Sequence, residues 1–151
     1  MRRKQIRAVV LACTLLFACA VTGCKSRVGV PSSEDRKWVE VVSSESALWI
    51  EAPGFEPQVL FVSGGTSGGQ RNHGSVVSRV WSPDASDPSP KVAFDAVLDS
   101  LRESLWVPAR FDCGIDCVGQ SKEFTNGLTQ PRDASAYIQV LAGEVTLTIT
   151  G

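Results

Sequence analysis

Side chains that carry chemistry are scarce in this chain. Its 151 residues include one histidine, His73, one tyrosine, Tyr137, and one methionine, Met1. A lone histidine offers no convergent set of acid, base and nucleophile, which argues against hydrolytic catalysis of the triad type. Excess charge is also missing. Fifteen basic residues face sixteen acidic ones, a net charge of −1, which gives no bulk electrostatic basis for nucleic-acid binding. No long apolar run is present. The longest uncharged apolar stretch, Ala8 to Val21, has fourteen residues, too few for a permanent helix across a bilayer core, which needs about 20. There is no internal repeat. The ordinary composition argues against a disordered or collagen-like chain, and the length suits one domain, or one domain with a tail.

What is present is concentrated first at the N-terminus. Arg2, Arg3, Lys4 and Arg7 precede the apolar run, with no acidic residue among them. A basic head before a short apolar segment reads as a secretory signal. The run closes on Val21-Thr22-Gly23-Cys24, which resembles the lipobox of bacterial lipoproteins. Val21 stands where that family favours leucine, and Thr22 where it favours serine or alanine. The resemblance covers residues 1–24. It implies a diacylglyceryl group on the Cys24 sulfur, cleavage just before Cys24, and departure of Cys13 and Cys19 with the signal. Several acyl chains then give stable anchoring, at about 0.8 kcal/mol per buried methylene. Alternatives are a plain signal cut near Ala20 and an uncleaved anchor. Arg2-Arg3 also resembles a twin-arginine export signal, although Gln5 stands where that signal has an apolar residue.

Loss of residues 1–23 removes four basic side chains and no acidic one, leaving 11 against 16 and a net charge of −5. Residues 24–36 read as lipidated cysteine and flexible tether, because Lys25 onward is polar with Gly29, Pro31, Ser32 and Ser33. Residues 37–151 read as one globular domain. In it, Trp38 to Val42, Ala47 to Glu51, Gln58 to Ser63 and Ser75 to Trp81 are β-favouring, and the third holds Val59, Leu60, Phe61 and Val62 as a buried-strand run. Pro53 to Pro57 is turn chemistry. Ser89-Pro90 starts a helix in which Phe94, Val97, Leu98, Leu101 and Leu105 form one apolar stripe, ended by Pro108. Tyr137 to Leu141 and Glu144 to Thr150 form a hairpin around Ala142-Gly143. The expected fold is α+β: an antiparallel sheet with one main amphipathic helix packed on one face.

Four groups are candidate sites. Cys113 and Cys117 are expected to form a disulfide outside the cytoplasm. Gly114 bends the chain so that Cα atoms about 13 Å apart in a strand come within the ~7 Å a bond needs. The C-x-x-x-C spacing also resembles membrane-tethered copper-delivery proteins of the Sco type, which implies a redox or metal-handling role. Val118 replaces their proline, however, and His73 lies upstream of the pair. Gly65-Thr66-Ser67-Gly68-Gly69 matches G-x-S-x-G and resembles the G-D-S-G-G of trypsin-like proteases, but no helix follows Ser67 and the chain is too short for two barrels. The loop reads as a hairpin tip. Trp38, Trp49, Trp81 and Trp106 are numerous for a small domain, and the first three are candidates for an aromatic face binding a protein or glycan; the other reading is core packing. Asp95, Asp99 and Glu103 share a helix face, either solvated or docking a partner or cation.

The expectation is a non-catalytic binding or accessory protein of the cell envelope. It is anchored extracytoplasmically through Cys24 to the cell membrane or outer membrane, needs no cofactor, and has an envelope protein or secreted ligand as partner. The competing class is a small redox or metal-handling protein using Cys113 and Cys117.

Overall fold

The computed structural model describes residues 32–63 and 74–151. Its elements are helix α1 (Ser33–Ser43), a 3-10 turn (Ser46–Leu48), strands β1 (Phe55–Pro57), β2 (Phe61–Ser63) and β3 (Val76–Pro83), helix α2 (Pro90–Glu103), and strands β4 (Val107–Pro108), β5 (Cys117–Phe124), β6 (Arg132–Leu141) and β7 (Glu144–Thr150). The seven strands form one sheet in the order β1-β3-β7-β6-β5-β4, with β2 also paired to β3. Every pairing is antiparallel. The α+β class holds, with two helices among the described residues rather than one main helix. Among the described residues no helix is long and apolar enough to cross a membrane.

α1 replaces the expected first strand, and it begins inside the stretch read as tether. Ser32 forms a capping box with Asp35. The Asp35 amide donates to Ser32 Oγ at 3.0 Å, and the Ser32 amide donates to Asp35 Oδ2 at 3.3 Å. Two orphan donors of the first turn are thereby satisfied, while Glu34 and Asp35 complement the helix dipole. Trp38 and Val42, one turn apart, are its buried residues. The segment read as a second strand is the 3-10 turn, with Ala47 and Leu48 buried.

Register defines the two faces of the sheet. Val77, Arg79 and Trp81 of β3 oppose Ile149, Leu147 and Val145 of β7. Those oppose Ala136, Ile138 and Val140 of β6, and Ala136 and Ile138 in turn oppose Gln120 and Val118 of β5. Opposed residues share a face, so these line one side. Trp38 and Val42 of α1 and Ala93, Val97, Leu98 and Leu101 of α2 join them in a single core. Each large side chain buried there contributes about 1.5–3 kcal/mol. The other side carries Ser78, Thr146, Thr148, Ser135 and Tyr137, with Phe111 lying over Gly119 and against Tyr137 at 4.9 Å between ring centres. A Cβ on Gly119 would meet the Phe111 ring at 2.5 Å, so only glycine allows that approach.

The expected β6–β7 hairpin is present, with Ala142 and Gly143 both at positive φ (51° and 85°), as a two-residue turn requires. α2 also begins where Ser89-Pro90 indicated. Its stripe ends earlier than expected: Leu105 lies beyond the helix and is 80% exposed, and Trp106 is buried in its place.

Candidate functional site

Cys24, Ser67 and His73 lie outside the described residues. Cys113 and Cys117 are bonded, with Cα atoms 5.7 Å apart. Gly114 and Asp116, at φ 96° and 55°, reverse the chain between them. The Val140 amide donates to the Asp116 carbonyl at 3.1 Å and ties this loop to β6. Ile115 at its tip is 90% exposed.

The acidic face of α2 is internally neutralised in part: Lys91 pairs with Asp95, and Arg102 with Asp99 at 3.2 Å. Among the described residues no group of three or more His, Cys, Asp or Glu side chains is placed to hold a metal ion. A groove of about 660 Å³ beside β4 is lined by Arg110, Lys122, Glu123 and Asp133, among others. Its charges are poorly placed for capture. Lys122 is committed to Glu45 at 2.8 Å, and Glu123 opposes Asp133 across the ladder, where like charges repel.

The indoles separate by burial. Trp38 and Trp81 are fully buried, and Trp106 is 3% exposed. The reading of Trp38 and Trp81 as surface residues is therefore corrected. Both sit where the helix stripe and the strand alternation point inward, and burial of a large apolar ring outweighs any use at the surface. The Trp81 indole donates to the Ile50 carbonyl at 3.3 Å, and the Trp106 indole to Glu45 at 2.9 Å. Trp49 alone keeps its place in the expected face. It is 56% exposed, and its indole donates to the Ser43 carbonyl at 2.7 Å, which fixes the ring at the end of α1.

Beneath that ring lies a residue the sequence reading passed over. The Arg79 guanidinium sits 4.6 Å from the Trp49 ring centre. Arg79 occupies an inward register position between Val77 and Trp81. Its Nε and Nη1 are buried and have no hydrogen-bond partner. Among the described residues its charge is paired with no carboxylate, and residues 1–31 and 64–73 contain no Asp or Glu at all. Burying such donors unsatisfied costs about 1–3 kcal/mol, of which the contact with Trp49 offsets about 1. The signal was present in Val76-Val77-Ser78-Arg79-Val80-Trp81, where alternation puts a cation on the apolar side.

The edge of the sheet passes the same place. Pro57 opposes Trp81 and Phe61 opposes Ser78, so four steps along the edge match three along β3. One residue is extra, which is a β-bulge. It falls opposite Arg79 and Val80, with the Gln58 amide donating to the Val80 carbonyl at 2.8 Å. The bulge reverses the alternation. Phe55 before it is buried, whereas after it Phe61 faces the outer side and is 61% exposed. Val59 is 92% exposed and Val62 44%. The run expected to be a buried strand is thus an exposed edge, with only Leu60 packed against the core. Edges are normally blunted with proline or charge. Pro108 does this at β4 and Pro57 at β1, but Val59 to Ser63 carries neither.

Arg79, Trp49 and this apolar edge together form the candidate binding face, and comparison with known protein families, curated proteins and solved structures finds no match for the chain.

Proposed function

We propose that this chain is a lipid-anchored extracytoplasmic protein of the cell envelope, non-catalytic, that binds a partner protein through the face formed by Trp49, Arg79 and the β2 edge. Residues 1–24 supply the signal and lipobox pattern for anchoring at Cys24. The observation that carries the binding role is the cation at Arg79, left without a carboxylate beside an uncharged exposed strand edge. A partner at this edge would remove apolar surface from water and, with the Arg79 side chain turned out to meet it, would satisfy donors the fold leaves unpaired.

Two measurements test the reading in intact cells. A photo-crosslinking amino acid at Val59 is expected to trap a discrete protein partner, while the same probe at Gln139 in β6, away from that edge of the sheet, traps none. Equal trapping at both positions removes the binding face. Labelled palmitate is expected in the mature chain and absent after Cys24→Ala; labelling that persists in that variant removes the anchor.

A further inference from the structure

We infer that the partner enters the β2 edge as an added strand, and that Arg79 selects a segment in which acidic side chains alternate with apolar ones. This deepens the binding-face reading above and rests on it.

An edge strand offers a row of free N–H and C=O groups that an extended peptide can complete, with main-chain bonds giving affinity and alternate side chains giving specificity. Here the two sides of such a strand meet different surroundings. On one side they pass Phe61, which is apolar and 61% exposed. On the other they pass Val62 and, beyond it, Arg79, which shares that side through the register Val62↔Val77 and Arg79↔Leu147. The added strand would lie two strand spacings, about 9.6 Å, from β3. A glutamate reaching inward spans that gap once the Arg79 guanidinium turns outward from its place against the Trp49 ring. The bulge opposite Arg79 opens the ladder at this point, because the edge makes no regular pair there.

Charge complementarity determines the partner's chemistry. Among the described residues the site holds one guanidinium, whose Nε and Nη1 are buried without a partner, and a single carboxylate can pair with such a group side-on through Nε and Nη2 or end-on through Nη1 and Nη2. A phosphate group normally gathers several donors or a helix N-terminus, and among the described residues Arg79 is the cation this face offers. The expected net charge of the mature chain, −5, also repels a polyanion or an anionic lipid surface. That leaves Arg79 as a local exception suited to an isolated acid.

The test uses the full chain in detergent. The probes are an end-capped heptapeptide alternating valine with glutamate, its glutamine counterpart, and inorganic phosphate. The glutamate peptide is expected to bind about tenfold tighter than the glutamine one, or more, as fits a charged hydrogen bond. Arg79→Gln should remove that preference and Arg79→Lys should keep part of it. In the complex, backbone hydrogen exchange should slow within Phe61–Ser63. Should Arg79→Gln fail to fold, the unmutated chain still reports, because the glutamate preference must shrink as salt rises. Equal affinity for the two peptides, no binding of either, unchanged exchange in β2, or phosphate competing at the glutamate peptide's own concentration would each overturn the inference. A partner trapped at Val59 in cells together with equal peptide affinities removes the selection by Arg79 and leaves the binding face standing. No partner at Val59 removes both.

Discussion

Leu105 and Trp106 show how one residue can redirect an element. Leu105 fits the helical stripe by spacing, yet the helix stops at Glu103 and Leu105 turns left-handed at φ 67°. The Trp106 amide then donates to the Leu101 carbonyl at 3.0 Å, and the Leu105 amide to Arg102 at 3.1 Å. This is a Schellman termination, in which glycine normally occupies the left-handed position. The turn swings the Trp106 ring onto the core, where its indole meets Glu45. A leucine at positive φ is strained by about 1 kcal/mol, and Leu105 is too exposed for burial to compensate. Leu105→Gly is therefore expected to raise stability by about 1 kcal/mol, read as a higher denaturant midpoint at unchanged slope; a lower midpoint contradicts this account. Cys113 and Cys117 close a short loop, and in the chain-entropy model such a bond contributes about 2 kcal/mol. Replacing both with alanine should cost about that much, and titration of the unreduced mature domain should find neither sulfur reactive. Reactive thiols at both positions would favour the redox reading instead.

At the scale of elements, α1 depends on its first turn. Glu34 accepts from the Thr129 amide at 2.9 Å and its hydroxyl at 3.0 Å, and these bonds lower its carboxyl pKa. Asp35 is lowered by the Ser32 hydroxyl and by Arg132, 2.9 Å away. A depressed carboxyl pKa stabilises the fold above the unfolded value, about 4, and that contribution disappears as pH falls through the lower folded value. Stability should therefore drop below about pH 4, and Asp35→Asn should flatten that acid limb, measured as urea midpoints across pH. An unchanged limb would mean these carboxylates do not link α1 to the sheet. The same element explains a misreading. Trp-Val-Glu-Val-Val over residues 38–42 is rich in β-favouring side chains, but the capping box at Ser32 and Asp35 and the i, i+4 spacing of Trp38 and Val42 favour the helix. Propensity yields to caps and burial when the two conflict.

Across the whole molecule, distant segments meet at Arg132. It pairs with Asp35, lies 5.0 Å from the Trp38 ring centre, and donates to the Gly151 carbonyl at 2.7 Å. Helix α1, β6 and the last residue are joined through one side chain. Arg132→Ala should cost about 2 kcal/mol, the scale of a charged hydrogen bond left unmade, and should loosen α1 first, seen as faster hydrogen exchange in Trp38–Val42 than in β7. Uniform loosening would show that the arginine is not the local tie. The candidate site has the same long-range character. Trp49 comes from the turn after α1, Arg79 from β3, and Val59 to Val62 from a strand edge. Each was visible as a residue type, but their meeting depends on a topology that no local pattern specifies.

Where information is short-range, the sequence was sufficient. The alternation Val145, Leu147, Ile149 determined which side of β7 is buried. Ala142-Gly143 determined the hairpin, Ser89-Pro90 the start of α2, and Gly114 the closure of Cys113 on Cys117. These depend on backbone angles and side-chain periodicity within a few residues. The tertiary structure alone decided that Trp38 and Trp81 are core while Trp49 is surface, and that Val59 to Val62 is an edge rather than an interior strand. The same four apolar residues serve either position. Their exposure depends on whether another strand pairs beyond them, and that pairing is set by contacts between segments far apart in the chain, whose loop-closure cost and reward no local spacing contains. Arg79 belongs to both accounts: alternation already turned it inward, and only the arrangement of α1, β2 and β3 left it there without an acid.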